Sequence, residues 1–216
     1  AMRPLALALL AALAAPAAGA QDAAPDTTQL PPKTEPYEVG VLRSVYHVES
    51  PAFVTTMRVV NDTAYPVYVG AAPVAWATAL ATGSSTRPAL RLGASQVANF
   101  GVTFALKNLI ARPRPYAALD DIVARDRRHQ GDKVFDPHSF PSGHTSTAFV
   151  IATSLSLSYP EWYVVVPAAA WASAMGATRV WHGVHYPSDV LVGAAIGATS
   201  AVVTHLVVDA LAADGE

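Results

Sequence analysis

The sequence has no cysteine and few charged residues. Among its 216 residues, Asp, Glu, Lys and Arg make up 14%, the formal net charge is −2, and 52% of the residues are hydrophobic. Without cysteine the chain has no disulfide framework, no zinc–thiolate site and no thiol nucleophile. A net charge near zero argues against a protein that binds nucleic acid through phosphate contacts, and the apolar content excludes a disordered chain. We therefore expect one folded, apolar domain whose few charges have specific roles.

The first 36 residues differ from the rest of the chain. Arg3 precedes an apolar stretch rich in leucine and alanine, which ends in the small-residue sequence Ala18-Gly19-Ala20. This pattern predicts a secretory signal peptide over residues 1–20, with a retained membrane anchor as the alternative. Residues 21–36 contain four prolines among polar residues and predict a flexible linker. Residues 37–216 are then a single helical domain.

Beyond the linker, long alanine-rich apolar blocks alternate with polar breaks, and they are too long to be strands. The predicted helices cover residues 71–82, 92–110, 143–158, 163–179 and 188–208, with one more between residues 39 and 60. The sequence therefore predicts an all-α fold. It would be a compact bundle of about five or six helices packed through small residues, with the active site at one end.

The relation of these helices to a membrane stays open at the level of sequence. Their lengths lie at or below the roughly 20 residues that a span requires. Seven of the 14 Lys and Arg residues lie between Lys107 and Lys133, and export of the chain would place them outside, against the positive-inside bias. We expect an exported periplasmic or envelope protein, soluble or membrane-associated. The alternative is an integral membrane enzyme with its active site facing outside.

Three charged residues remain between residues 137 and 208, and two of them flank a histidine. Arg179 and Asp189 surround His185 where one predicted helix ends and the next begins. A carboxylate four residues after a histidine, in the first helical turn, can fix the imidazole tautomer and raise its basicity. A histidine held in this way is a candidate nucleophile or base. The alternative is a buried Arg179–Asp189 ion pair that only joins two helices.

A second motif, Pro141-Ser142-Gly143-His144, enters a predicted helix. Ser142 is a typical N-cap, and Gly143 allows backbone N–H groups to approach a ligand. Because a helix N-terminus carries unpaired donors and partial positive charge, an anion such as phosphate fits here. The alternative is a capped helix start with a surface histidine.

A third motif, residues 107–115, closes an apolar helix with Lys107, Arg112 and Arg114 between rigid prolines. Guanidinium groups match phosphate oxygens in a bidentate way. A basic helix end that is solvated and favoured by the helix dipole is the alternative.

Together the three motifs resemble the signatures of the type 2 phosphatidic acid phosphatase superfamily. This family includes lipid phosphatases, bacterial nonspecific acid phosphatases and vanadium haloperoxidases. The first signature is Lys, any six residues and then Arg-Pro. It is matched by Lys107, Arg114 and Pro115. The second signature is Pro-Ser-Gly-His, which is present at 141–144. The third is Arg, any five residues, His, any three residues and Asp, and it is matched by Arg179, His185 and Asp189. Thr178 stands where a common variant has serine.

The resemblance implies a phosphohydrolase that cleaves phosphomonoesters or lipid phosphates and pyrophosphates without a metal or other cofactor. His185 would attack phosphorus and form a phosphohistidine, and Asp189 would orient it. His144 would protonate the leaving oxygen and then activate water. The groups implied to hold the phosphate oxygens are Lys107, Arg114, Ser142, Gly143 and Arg179.

Several alternatives remain at this stage. The chain could instead bind vanadate at the same groups and act as a haloperoxidase, or be a noncatalytic envelope protein with a relict phosphate pocket. His182, His185 and Asp189 could form a metal triad. Residues 116–137 form a polar loop that is long enough to act as a lid or specificity element, and the sequence does not say which. Arg112 lies outside the signature, and the alternatives for it are to help bind substrate or only to solvate the loop, of which we expect the second.

Overall fold

Helices make up the regular secondary structure of the described chain. The computed structural model describes residues 36–126, 129 and 136–213. The predicted signal peptide and almost all of the predicted linker therefore lie outside the described residues. The eight helices of the described part are α1 (Pro36–Tyr46), α2 (Pro51–Asp62), α3 (Ala64–Thr82), α4 (Arg87–Ile110), α5 (Pro115–Ala118), α6 (Gly143–Ser158), α7 (Trp162–Trp181) and α8 (Pro187–Ala213). The all-α prediction is confirmed, with more helices than the five or six expected.

Two differences account for the larger number of helices. The single helix predicted between residues 39 and 60 is two helices, α1 and α2. Pro51 disfavours helical geometry at the preceding residue, and Ser50 has φ −54° and ψ 126°. The second difference is α5, a four-residue turn that begins at Pro115, directly after Arg114. It is too short to give a periodic sequence pattern.

The centre of the bundle is formed by α6, which packs against α4, α7 and α8. Two glycines of α8 face the start of α6. A Cβ atom at Gly193 would lie 2.7 Å from the carbonyl oxygen of Ser142, and one at Gly197 would overlap the carbonyl oxygen of Ser146. The helices therefore approach backbone to backbone, as the prediction of packing through small residues requires. This contact brings the N-termini of α6 and α8 together.

Large apolar side chains cover the outside of the bundle. Val97, Phe100 and Phe104 on α4 are 74%, 70% and 54% exposed, and Leu191 and Leu206 on α8 are 71% and 65% exposed. Of the described helices, α8 is long and apolar enough to cross a membrane, with a mean hydropathy of 1.9 and 22% of that stretch buried.

Candidate active site

The residues of the three motifs lie at one end of the bundle. Lys107 is in the last turn of α4, Arg179 is in the last turn of α7, and Asp189 is in the first turn of α8. Arg114 follows α4, Ser142 caps α6, and His185 lies in the connection between α7 and α8. The alternating direction of the helices explains why two helix ends and two helix starts meet here.

The start of α6 is tied to the start of α8. The Oγ atom of Ser142 accepts the N–H of Thr145 at 3.4 Å, and its N–H donates to the carbonyl oxygen of Asp189 at 3.0 Å. Gly143 packs close to α4, because a Cβ there would lie 3.8 Å from Lys107 Cε, at van der Waals contact. The predicted N-cap is therefore present, and the helix N-terminus lies beside Lys107.

His185 is buried among positively charged groups. Its Nε2 atom is 3.1 Å from NH1 of Arg114, and its Nδ1 atom is 3.6 Å from Oδ2 of Asp189. Burial, followed by the charges of Arg114 and Lys107, holds the pKa of His185 well below its ordinary value. The imidazole is therefore neutral at physiological pH, and its Nε2 atom faces the cationic pocket.

Lys107 and Arg114 converge on one carboxylate. Oδ2 of Asp136 lies 3.0 Å from Nζ of Lys107 and 3.1 Å from NH2 of Arg114. Backbone carbonyls hold the same cations, because Lys107 Nζ donates to the oxygen of His138 at 2.9 Å and Arg114 NH1 to that of Val184 at 2.9 Å. An oxygen bearing negative charge therefore fits between these two side chains.

Arg179 is completely buried, and its guanidinium has partners from three segments of the chain. Its Nε donates to Oγ1 of Thr178 at 2.9 Å, so threonine supplies the hydroxyl that serine would supply at this position. Its NH1 lies 3.5 Å from Oδ2 of Asp126, and its NH2 donates to Oδ1 of Asn61. Neither partner was identified from the sequence, because α2 and the 119–126 segment lie far from Arg179 in the chain.

His144 lies in the first turn of α6 and lines a cavity of about 1100 Å³. Its ring makes edge contacts with Tyr65 at 5.6 Å and Tyr68 at 5.8 Å, and the hydroxyl of Tyr68 donates to its backbone oxygen at 2.8 Å. The lining of the cavity is mixed, with the polar side chains Arg58, Asn61, Asp62 and Asp126 beside apolar ones such as Val54 and Trp181.

Arg112 corrects one expectation from the sequence. It does not solvate the loop, because its side chain is 16% exposed and its NH1 donates to Oδ1 of Asp189 at 2.9 Å. The partner of Asp189 is thus Arg112, and the alternative of an Arg179–Asp189 ion pair is wrong. The NH2 of Arg112 donates to Oε2 of Glu38 at 3.0 Å. Glu38 was missed because it lies 150 residues before Ser188, its other partner, and belongs to no motif.

The alternative metal triad does not assemble. Nδ1 of His182 donates to the carbonyl oxygen of Thr178 at 2.6 Å, whereas the ring of His185 is directed towards Arg114. Within the described residues, no three or more histidine, aspartate or glutamate side chains are grouped as metal ligands.

The fold and the site together define an all-α protein with a buried cationic pocket and the two motif histidines, His144 and His185, at one end of its bundle. A sequence profile of the PAP2 superfamily matches residues 88–212, which contain all three motifs. The chain belongs to the PAP2 superfamily, and the resemblance inferred from the motifs is confirmed.

Several of the relatives are phosphatases by name. The lipid A 1-phosphatase of Rhizobium johnstonii is 37% identical over 103 residues, which are 47% of this chain and 40% of that protein. The decaprenylphosphoryl-5-phosphoribose phosphatase of Mycobacterium tuberculosis is 33% identical over 125 residues, 56% of this chain and 62% of that protein. The chain thus spans about half of the length of these relatives.

A solved structure shares the fold. It is that of the first transmembrane PAP2-type phosphatidylglycerolphosphate phosphatase from Bacillus subtilis, with a TM-score of 0.60 and 21% identity. The superposition covers 97% of this chain and 93% of that one. At this identity the likeness supports the architecture of the bundle and not a substrate.

Proposed function

We propose that this chain is a phosphohydrolase that cleaves phosphomonoesters or lipid phosphates and pyrophosphates through a phosphohistidine. The observation that carries the proposal is the position of His185. Its Nε2 atom is 3.1 Å from Arg114 in a buried, cationic pocket, and Asp189 lies on the opposite side of the ring. A neutral imidazole that faces a site for an anionic oxygen is the arrangement that nucleophilic phosphoryl transfer needs.

In the first step, Nε2 of His185 attacks phosphorus in line with the leaving oxygen. The N–P bond forms while the P–O bond breaks, and His144 gives its proton to the leaving oxygen. In the second step, His144 takes a proton from water and the water oxygen attacks phosphorus. The new P–O bond forms while the N–P bond breaks, so inorganic phosphate leaves and Nε2 of His185 recovers its electron pair. Oδ2 of Asp189 lies 3.6 Å from Nδ1 of His185, and when this gap closes it accepts the Nδ1–H and keeps Nε2 unprotonated before attack.

The cations of the site stabilise the charge on the transferring phosphoryl group. We assign its equatorial oxygens to Lys107, Arg114 and Arg179, together with the hydroxyl of Ser142 and the N–H of Gly143 at the start of α6. These groups are held in place by the packing of the bundle, so little reorganisation is needed during the reaction. Because side chains supply the positive charge, we expect turnover to continue in excess EDTA.

A lipid substrate fits the surface of the molecule better than a soluble ester does. Apolar side chains cover the outer faces of α4 and α8, and exposed apolar area of this extent is typical of contact with a membrane. The cavity beside His144 gives the polar part of a leaving group a place next to the proposed acid. The names of the relatives, which are phosphatases of lipid A and of a decaprenyl phosphoribose, support the same substrate class.

We also propose that the protein works in the cell envelope, with residues 1–20 as an export signal and residues 37–216 as one catalytic domain. Helices with apolar outer faces and a polar site at one end suit an enzyme held in a bilayer with its site at the interface. The buried charges would then lie near the water side of the membrane.

The test is phosphate release by the purified full chain in excess EDTA. The substrates are an aryl phosphate and detergent-dispersed phosphatidate, lipid A and isoprenyl pyrophosphate. We expect release by the wild type, most rapidly from a lipid, and none by His185→Ala. The matched control is His47→Ala, which changes an exposed histidine of the 47–50 connection.

Three outcomes would contradict the proposal. Normal turnover by His185→Ala would exclude the phosphohistidine, and loss of turnover in EDTA would revive a metal reaction. Absence of phosphate release together with bromide oxidation in added vanadate would favour the haloperoxidase alternative.

A further inference from the structure

The carboxylate of Asp189 is fully buried and its two oxygens have different partners. Oδ2 accepts the N–H of Tyr186 at 2.8 Å and lies on the His185 side, whereas Oδ1 accepts NH1 of Arg112 at 2.9 Å. A buried carboxylate is costly unless a cation and hydrogen bonds compensate its charge. Arg112 is the cation that directly contacts Asp189, and it therefore fixes one edge of the carboxylate.

Arg112 is itself held on several sides. Its guanidinium lies 3.9 Å from the centre of the Tyr186 ring, and its NH1 also donates to Oγ of Ser188 at 2.8 Å. Its NH2 donates to Oε2 of Glu38 at 3.0 Å. The planar guanidinium thus bridges two carboxylates, a geometry that a lysine ammonium cannot reproduce.

Glu38 connects helix α1 to the start of helix α8. Its Oε1 accepts the N–H of Ser188 at 2.8 Å and also the hydroxyl of Ser188. A carboxylate at this position is favoured by the partial positive charge of a helix N-terminus. Burial alone would raise the pKa of Glu38, but the hydrogen bonds from Ser188 and Arg112 hold it below its ordinary value. Glu38 is therefore ionised near neutral pH.

Apolar packing holds helix α1 beside Arg112 and the start of α8. Leu42 and Tyr46 of α1 are buried in one apolar cluster with Ile122, Val180 and Tyr186. The guanidinium of Arg112 stacks on the ring of the same Tyr186. The packing of α1 therefore fixes Glu38 and Arg112 relative to the loop that presents His185.

We propose that Glu38 and Arg112 are positioning residues that act through Asp189 on the nucleophile His185. This inference rests on the proposed function. Nδ1 of His185 is 3.6 Å from Oδ2 of Asp189, slightly beyond hydrogen-bond length, so a small rotation of the carboxylate decides whether this bond forms. Glu38 lies outside the matched residues 88–212, so the N-terminal helix of this chain completes the site.

The test compares Glu38→Gln and Arg112→Lys with the wild type, using the full chain in detergent. Glutamine keeps an acceptor for Ser188 but removes the charge opposite Arg112, and lysine keeps the charge but loses the bridge. We expect kcat on an aryl phosphate to fall about 10-fold to 100-fold in both variants. KM and the inhibition constant of inorganic phosphate should stay within about twofold, because the phosphate-binding cations are unchanged.

The matched control is Arg43→Gln, which breaks the exposed ion pair between Arg43 and Asp121 on the same helix α1. This variant should keep the wild-type kcat and KM. If Glu38→Gln does not fold, Arg112→Lys still tests the bridge, because it retains the compensating charge.

Two results would overturn the inference. One is a kcat within about twofold of wild type in both variants, and the other is a loss of kcat matched by an equal rise in the phosphate inhibition constant. Absence of phosphate release by the wild type would instead contradict the proposed function itself, so the two failures are distinguishable.

Discussion

The site end of the bundle and the outer faces of its helices place charge and apolar surface in opposite ways. Arg114 and Arg179 are 2% and 0% exposed, whereas Val97 and Phe100 are 74% and 70% exposed. A protein surrounded by water normally has the reverse arrangement, because burying charge is costly and burying apolar area is favourable. This reversed arrangement supports the two proposals made above, that the buried cations bind an anion and that the apolar faces contact hydrocarbon.

Among changes to the buried charges of the site, we expect Asp189→Asn to reduce activity most. The amide keeps the shape of the side chain but removes the charge that holds the Nδ1–H tautomer of His185. We expect kcat to fall by about 10³-fold or more, with a small change in KM. The measurement is steady-state phosphate release, with Asp121→Asn, at an exposed ion pair, as the control. A kcat within about tenfold of wild type would show that Asp189 is not needed to orient the imidazole.

The apolar side is tested by Val97→Lys, which puts a charge near the middle of α4. If this face lies in hydrocarbon, the lysine costs about 2.5–3.5 kcal/mol, and the membrane-bound fraction should fall. Turnover of the variant in detergent should be unchanged. Val97 lies in the middle of α4, whereas the site residue of this helix, Lys107, lies in its last turn. The measurement is the share of the chain retained in washed membranes.

The matched control for this variant is Val123→Lys. Val123 is 66% exposed but lies in the connection at the site end of the bundle. The same change there should leave membrane retention as it is in the wild type. Equal retention of all three proteins would mean that the face of α4 around Val97 does not contact lipid.

The fold and the motif residues could be predicted from sequence because the signals are local. Helix α6 has the predicted bounds, 143–158, since Ser142 caps its start and polar residues bound its apolar run. The spacing of three short motifs indicated which side chains share the site. The supporting network could not be predicted in this way. Glu38, Asn61 and Asp126 reach the site through tertiary packing of α1, α2 and a loop, and no spacing rule relates them to the histidines.

The smallest expected effect concerns Asp136, a negatively charged residue within the cationic pocket. Its carboxylate lies between Lys107 and Arg114, where a phosphate oxygen would bind, and its side chain is 37% exposed. Because it competes with the substrate for the same cations, Asp136→Asn should lower KM and the inhibition constant of inorganic phosphate. Solvent on the exposed side of Asp136 screens its charge, so the change should be about fivefold.

The measurement is competitive inhibition of aryl phosphate hydrolysis by inorganic phosphate in wild type and Asp136→Asn. The catalytic constant should change little, since His185, His144 and Asp189 are not in contact with this carboxylate through any described hydrogen bond. A rise in the inhibition constant of inorganic phosphate in Asp136→Asn would show that Asp136 does not compete with the substrate. Asp136 would then hold Lys107 and Arg114 in position, and the substrate would bind beside the carboxylate rather than in its place.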